Sequence, residues 1–282
     1  MTASNAMDQP LAEVQRAFGS KGVPVRLKGG EGRCFRVANC VFKPVENVTL
    51  HEWSARLLER LQANGFRISR PMRSARDGFV YKGWAASSYE PGQHFDGNWT
   101  EKLKVGRLFH QAINALALDP IPARDDRWAR SHDIVWGRGE LPDGMDPVVL
   151  GAIDSIVSRF GESDCAEQII HSDLCGNILF EKGLAPLIID FSPAVGPLAY
   201  GEAILVADAI AWEGASTELI DSLPMTEFYR QMLYRAVAFR IVVAGLFFAK
   251  EIDRFRDEHR AFLPIIEYLD GSGSQQNGRG SE

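Results

Sequence analysis

The stretch from Ile169 to Phe191 constrains the fold most, because it places two short apolar runs on either side of a turn. The runs are Asn177–Phe180 and Leu187–Ile189, and Glu181–Lys182–Gly183 lies between them. β-Branched and aromatic residues favour strands, and glycine marks a turn. The stretch therefore predicts a β-hairpin.

Polar side chains stand just outside the two apolar runs. Asp173 and Asn177 come before or at the start of the first run, and Asp190 ends the second. A hairpin brings both of its ends to the same side, so we expect these three side chains to converge. Carboxylate and amide oxygens are ligands that suit Mg²⁺ rather than Zn²⁺. The pattern predicts a magnesium site of the kind used to move a phosphoryl group.

The order of these residues resembles that of the aminoglycoside phosphotransferase and choline kinase-like superfamily, small-molecule kinases related to the protein kinases. The resemblance implies that Asp173 orients or deprotonates an acceptor hydroxyl, and that Asn177 and Asp190 hold Mg²⁺ on the phosphates of ATP. It also implies that His171 braces the loop. One departure is the interval from Asp173 to Asn177, which is four residues where the family has five.

Upstream, a glycine-rich turn precedes a lysine in an apolar strand. The turn is 29–32, and Lys43 lies within Val41–Val45. The resemblance implies that Gly30 and Gly32 cover the phosphates and that Lys43 contacts them. A plain turn and a lysine extending along a sheet edge are the alternatives.

A predicted helix follows, from Leu50 to Ala63, with apolar residues at helical spacing. Glu52 lies in its first turn. The resemblance makes Glu52 the partner of Lys43, with Glu59 as the competing candidate. An ordinary solvated helix face is the alternative for both glutamates.

Two further positions depend on the resemblance. It places the hinge between the two lobes near Tyr89–Gly92, so that the backbone of Ala86, Ser87 and Ser88 binds the adenine edge. It also makes Asp208 an acid that braces the catalytic loop from a helix. An acid on a helix surface is the alternative for Asp208.

Composition excludes some partners. The chain has 282 residues, 45% hydrophobic and 24% charged, which is ordinary for a globular protein with two lobes. A net charge of -6 argues against nucleic acid or an anionic membrane as the main partner. The four cysteines match no zinc pattern and indicate reduced thiols in a cytoplasmic protein.

No segment of the sequence reads as a membrane or export signal. The apolar stretch Ala236–Ala249 is too short to span a bilayer and contains Arg240. The first residues lack the basic and apolar regions of a signal peptide. Oligomeric state has no signal in the sequence.

The predicted architecture is α+β, with the bilobal fold of the protein kinases. We expect an N-terminal extension over 1–22 and an N-lobe of about five antiparallel strands with one helix over 23–88. A mainly helical C-lobe over 89–270 and a disordered tail over 271–282 follow. ATP is expected between the lobes.

The predicted activity is transfer of the γ-phosphoryl group of ATP, with Mg²⁺, to a hydroxyl of a small molecule. Two alternatives stay open. The short loop favours a nucleotide-binding pseudokinase, and the cluster of His171, Asp173 and Asp190 could serve a metal-dependent hydrolase. The sequence does not indicate the acceptor among aminoglycosides, sugars, amino alcohols, amino acids and macrolides.

Overall fold

A computed structural model describes residues 9–27, 32–116, 119–161 and 165–276. The chain forms two compact units, each built from three separate segments. Unit 1 comprises 1–94, 111–122 and 178–191, and unit 2 comprises 95–110, 123–177 and 192–282. Residues 178–191 belong to unit 1 although they follow residues of unit 2, because they form a hairpin that pairs with a strand of unit 1.

The main sheet of unit 1 has five strands, all antiparallel, in the order β1-β2-β3-β6-β5. This confirms the predicted α+β class and the five-stranded antiparallel sheet. The strands are β1 Val25–Arg26, β2 Phe35–Val37, β3 Cys40–Pro44, β5 Val80–Tyr81 and β6 Trp84–Ser88.

The sequence also predicts strands near Ile68–Arg73 and Phe79–Ser87, joined by a turn at Asp77–Gly78, and both differ from the observed ones. The single strand expected over Phe79–Ser87 is a hairpin, because Lys82 and Gly83 take φ values of 48° and 77°, the geometry of a two-residue hairpin turn. The strand expected over Ile68–Arg73 is reduced to β4, Arg67–Ile68, which belongs to a second sheet.

The second sheet contains the hairpin predicted from the most constraining stretch. Its strands are β8, Ile178–Leu179, and β9, Leu187–Ile188, which pair antiparallel. Gly183 turns the chain with a φ of 79°, where a side chain would be strained. Because β9 also pairs in parallel with β4, the hairpin belongs to unit 1.

Unit 1 has a small core beneath the main sheet. Helix α1, Ala12–Ala17, contributes Val14, and Phe18 follows it directly. The ring of Phe18 meets Phe42 of β3 edge to face, with centroids 5.9 Å apart. Residues expected to form an extension are thus part of the core, because they cover one face of β2, β3 and β6. Helix α2, Val48–Arg60, is capped by Asn47, whose side-chain Oδ1 accepts from the backbone N–H of Leu50 at 3.0 Å.

Unit 2 is mainly helical, with one short antiparallel pair of strands. The strands are β7, Gln168–His171, and β10, Pro193–Gly196. The helices are α3 Trp99–Asn114, α4 Arg127–Val135, α5 Pro147–Val157, α6 Leu198–Trp212, α7 Glu227–Phe247 and α8 Ile252–Gln276.

Helices α6 and α7 form the centre of unit 2. Residues 199–210 of α6 and 231–245 of α7 are buried on all sides, as expected of helices that pack against others all round. Helix α7 packs against α4, α5, α6 and α8. Helix α8 continues to Gln276, so the first residues of the tail expected to be disordered from Gly271 are helical; 277–282 lie outside the described residues. No helix in the described part of the chain is both long and apolar enough to cross a membrane.

Candidate functional site

Two predicted site residues form an ion pair in unit 1: Lys43, predicted to contact the phosphates, and Asp190, predicted to bind the metal. Residues alternate between the two faces of a strand, so Phe42 of β3 enters the core and Lys43 points away from it. The Nζ of Lys43 donates to Oδ1 of Asp190. Asp190 follows β9 with a φ of 52°, a left-handed conformation that aspartate tolerates better than most residues. Two residues that are 147 positions apart are thus paired.

The predicted pair between Lys43 and Glu52 is absent from the described residues, and this is a correction. The Oε1 of Glu52 accepts from the backbone N–H of Phe79 at 2.7 Å and of Val80 at 3.1 Å. Its Oε2 lies 3.4 Å from Arg56. Glu52 fails as the partner because it satisfies the backbone at the start of β5.

The competing candidate, Glu59, is also engaged elsewhere. Both of its oxygens accept from Arg73 at 2.8 Å. Those hydrogen bonds lower the pKa of the Glu59 carboxyl below its ordinary value. Neither glutamate of α2 therefore orients Lys43.

The residues predicted to contact the phosphates and those predicted to contact the adenine differ in how well the structure fits them. Gly32 takes a φ of 68°, which only glycine adopts without strain, while Gly30 lies outside the described residues. The expected adenine contact near Ala86–Ser88 is not supported. The carbonyl of Ala86 accepts from Met72, and the N–H of Ser88 donates to Arg70. Ser87 forms an antiparallel bridge with Pro71, so this edge of β6 is already covered.

Two histidines hold the loop of unit 2 that carries Asp173, and one of them is His171, for which the resemblance implies a bracing role. The Nδ1 of His171 accepts from the backbone N–H of Asp173 at 3.1 Å. The backbone N–H of His171 donates to Nε2 of His110 on α3 at 2.9 Å. Both imidazoles are buried, and burial lowers the pKa of His110 to about 3. His110 is therefore a neutral acceptor that positions the loop.

The carboxylate of Asp173 is held from two sides and still reaches solvent. Its Oδ1 accepts from Nη2 of Arg240 at 2.9 Å. Its Oδ2 accepts from Nδ2 of Asn177, also at 2.9 Å, and the same Nδ2 donates to the carbonyl of Asp173 at 2.6 Å. The side chain of Asp173 is 45% exposed, so it is fixed in place yet accessible.

Arg240 connects Asp173 to Asp208 and is the functional residue that sequence reasoning missed. Its Nε donates to Oδ1 of Asp208 at 2.8 Å, and its Nη2 donates to Oδ2. The Arg240 side chain is 2% exposed. A lone arginine in an apolar helix signals a buried carboxylate partner, because an unpaired buried charge is very costly.

The charges in this buried pair depend on each other. Burial raises the pKa of Asp208 to about 6, although Arg240 opposes the shift and Asp173 adds to it. Burial also disfavours the charged guanidinium, but the Asp208 and Asp173 carboxylates outweigh that cost and raise the pKa of Arg240. The predicted bracing role of Asp208 thus acts through Arg240.

Cys175, inside the same loop, is buried and packs the loop. Burial is the main cause that raises the pKa of its thiol above the ordinary range, and Asp208 and Glu213 add to it. Glu213 in turn accepts from Nζ of the fully buried Lys102 at 2.6 Å. A thiol in such surroundings is unreactive.

We compared the chain with known proteins. No protein-family model and no curated protein matches it. Solved structures match over most of its length. Choline kinase LicA from Streptococcus pneumoniae has a TM-score of 0.59 and 14% identity, covering 87% of this chain and 94% of its own.

Two antibiotic kinases match to a similar degree. A thermostable mutant of aminoglycoside phosphotransferase APH(4)-Ia, in ternary complex with AMP-PNP and hygromycin B, has a TM-score of 0.57 and 13% identity; the match covers 97% of this chain and 100% of that one. Amicoumacin kinase hAmiN, in complex with AMP-PNP, Ca²⁺ and Ami, has a TM-score of 0.54, 16% identity and coverages of 87% and 88%. The resemblance stated from the sequence is confirmed at the level of the fold: this chain has the fold of the choline kinases and aminoglycoside phosphotransferases.

Proposed function

We propose that this protein transfers the γ-phosphoryl group of ATP to a hydroxyl of a small molecule. The observation that supports this most is the state of Asp173, which is accessible to solvent while Arg240 and Asn177 hold both of its oxygens. A carboxylate fixed in this way is organised before the reaction begins, which is how enzymes stabilise a reacting group at low cost.

Asp173 is the residue that receives the acceptor hydroxyl in this proposal. The acceptor oxygen forms a bond to the γ-phosphorus, and the bond from that phosphorus to the bridging oxygen breaks, leaving its electron pair on ADP. The hydroxyl proton passes to Asp173 and then to water. Because Arg240 and Asn177 hold both oxygens of Asp173 in place, the main contribution of this carboxylate is to orient the hydroxyl.

The residues present suit a magnesium ion. Asn177 uses its Nδ2 to hold Asp173, so its Oδ1 is the atom left to bind a cation. Asp190 provides carboxylate oxygens, and hard oxygen ligands are what Mg²⁺ prefers. When bound, Mg²⁺ neutralises charge on the phosphates of ATP. We propose Asn177 and Asp190 as its ligands, with Lys43 and the turn at Gly30 and Gly32 on the phosphates.

Calorimetric titration of the native protein and Asp190→Ala with ATP, with and without Mg²⁺, tests the nucleotide part. We expect Mg²⁺-dependent binding that Asp190→Ala weakens at least tenfold, because a ligand to the metal is lost. Asp253→Ala, which removes a side chain that is 90% exposed on α8, is the matched control and should bind normally. Failure of the native protein to bind ATP would overturn the proposal.

Phosphate transfer by Asp173→Asn tests the chemical part. We expect at least a hundredfold loss of turnover with unchanged ATP affinity, since positioned acid–base groups contribute about 10²- to 10⁴-fold. ATP binding without transfer by the native protein would favour the pseudokinase, which the four-residue interval from Asp173 to Asn177 suggests. Phosphoester hydrolysis that needs no ATP would favour the hydrolase.

A further inference from the structure

Three exposed aromatic side chains of unit 2 gather beside the residue that holds Asp173. Trp128, Trp212 and Phe247 are 42%, 49% and 39% exposed. The other exposed tryptophan or phenylalanine among the described residues is Phe95. The ring centroids of Trp128 and Phe247 are 5.4 Å apart. Grouped exposed aromatic surface of this kind usually marks a binding site.

Arg240 connects this aromatic surface to Asp173. Its guanidinium carbon lies 5.7 Å from the ring centroid of Trp128 and 5.0 Å from that of Trp212. The same guanidinium donates to Asp173. A molecule whose hydroxyl reaches Asp173 would therefore have the rest of its structure beside these rings.

The three rings come from the ends of different helices. Trp128 lies in the first turn of α4, Trp212 ends α6, and Phe247 ends α7. Helix α7 packs against both α4 and α6, so packing within unit 2 sets the spacing of the rings. The surface is therefore organised before a ligand arrives, which reduces the entropic cost of binding.

The charges around the rings disfavour a cationic ligand. Arg240 occupies ring faces of Trp128 and Trp212, and the guanidinium of Arg127 lies 4.6 Å from the centroid of Phe247. Each ring therefore has a guanidinium over one face, and its positive charge repels a ligand cation that approaches the ring. The carboxylates nearby are engaged: Asp173 and Asp208 bind Arg240, and Glu258 accepts from Nε1 of Trp212 at 3.2 Å.

We propose that Trp128, Trp212 and Phe247 bind the apolar part of the acceptor, and that this acceptor is an uncharged alcohol with an aromatic or other flat apolar group. The proposal rests on the proposed phosphotransferase function and adds the class of its substrate. It separates this chain from an enzyme that selects a cationic alcohol, for which a surface of uncovered rings and unpaired carboxylates would be suited.

The first test is binding of 2-(2-naphthyl)ethanol, an uncharged aromatic alcohol, to the full chain with AMP-PNP and Mg²⁺, followed by calorimetry. We expect Kd to rise at least fivefold in Trp128→Leu and in Trp212→Leu. Trp128→Phe keeps an aromatic ring and should lose less than threefold. Val23→Ala, the control in unit 1, removes an apolar side chain that is 83% exposed and should change Kd by less than twofold.

The second test compares this alcohol with choline and kanamycin, two cationic alcohols. We expect the naphthyl compound to bind at least tenfold more tightly and to accept phosphate from ATP. Absence of naphthylethanol binding, equal affinity in the tryptophan variants, or tighter binding of a cationic alcohol would each overturn the proposal.

The same samples separate this proposal from the proposed function. Each variant is titrated with ATP and Mg²⁺ and checked by thermal unfolding, with Phe247→Leu replacing any variant that unfolds. Naphthylethanol binding that depends on the rings, without phosphate transfer, would support the aromatic site and contradict the phosphotransferase. Phosphate transfer to kanamycin alone would support the phosphotransferase function and contradict the aromatic acceptor site.

Discussion

The two units hold their charged side chains in opposite ways. In unit 1 the pair between Lys43 and Asp190 lies near the surface, and the Lys43 side chain is 48% exposed. In unit 2 Arg240 is 2% exposed and bonded to both Asp208 and Asp173. An exposed pair contributes about 0–1 kcal/mol, whereas breaking a buried one costs about 3–5 kcal/mol.

This difference suits two tasks. A ligand can rearrange the charges of unit 1 at low cost, as binding of a nucleotide would require. The carboxylate of Asp173 in unit 2 is held in one position before any ligand binds. Stability and function should therefore respond differently to substitutions in the two places.

The strongest way to break this contrast is Arg240→Met. It leaves Asp208 buried without a partner and releases Asp173, so we expect the free energy of unfolding to fall by about 3–5 kcal/mol. Urea unfolding followed by circular dichroism measures it. Adding Asp208→Asn should recover at least a third of the loss, because the unpaired charge is then removed.

An exposed ion pair contributes less than about 1 kcal/mol to the free energy of unfolding. If Arg240→Met lowers that free energy by no more than this, the buried network contributes no more than the surface pair. Arg256→Met is the matched control, since that arginine forms an exposed pair with Asp253 on α8. It should change the free energy of unfolding by less than about 0.5 kcal/mol.

A fall in pH should lower the stability of unit 2 through His132, which is buried beside this network. Its ring stacks on Phe239 at 3.9 Å between centroids. Its pKa is lowered from 6.5 to about 3, mainly by burial; Arg240, Arg124 and Arg138 contribute to the shift and Asp126 opposes it. The folded protein thus keeps this imidazole neutral at pH values where the unfolded chain protonates it.

The direction in which stability changes with pH follows from which state binds the proton. Between pH 6.5 and 3 the unfolded chain binds the extra proton at His132, so stability is present above pH 6.5 and falls as the pH falls. From pH 7 to pH 5 we expect a loss of about 2 kcal/mol from this residue. His132→Phe, which keeps an aromatic ring, should remove that part of the pH dependence in urea unfolding, whereas replacing the exposed His94 by Gln should not.

The smallest effect on stability is expected for Lys43→Met in unit 1. Because the lysine is half exposed, we expect the free energy of unfolding to change by less than about 1 kcal/mol. The affinity for ATP with Mg²⁺ should nevertheless fall about tenfold, equivalent to about 1.4 kcal/mol, as a phosphate contact is lost. Calorimetry and urea unfolding on the same sample test both parts. A larger loss in the free energy of unfolding than in the free energy of ATP binding would contradict the contrast between the two units.

The sequence predicted what is local in the chain. The hairpin of β8 and β9 follows from residues within one short stretch. The fold class followed from the resemblance that the same stretch carries. Such features depend on neighbouring residues, which a sequence places side by side.

Features that depend on distant partners were missed or wrong. Glu52 was expected to hold Lys43, but it binds the backbone of Phe79 and Val80, a competition that no helical pattern reveals. Arg240 lies 67 residues after Asp173, and its apolar surroundings gave only the argument against a membrane span. The break at Lys82–Gly83 was also missed, because a lysine gives little sign of a left-handed turn.

The distance between Asp173 and Arg240 has a consequence for synthesis of the protein. The loop leaves the ribosome 67 residues before the arginine that fixes its carboxylate. At about 5–20 residues per second, roughly 3–13 s pass before Arg240 is added to the chain. During that interval a nascent chain already carries the entire unit 1 hairpin while its Asp173 has no cation from α7. Any truncation before Arg240 would leave Asp173 without this partner permanently, so α7 is needed to hold that carboxylate as well as to form the core.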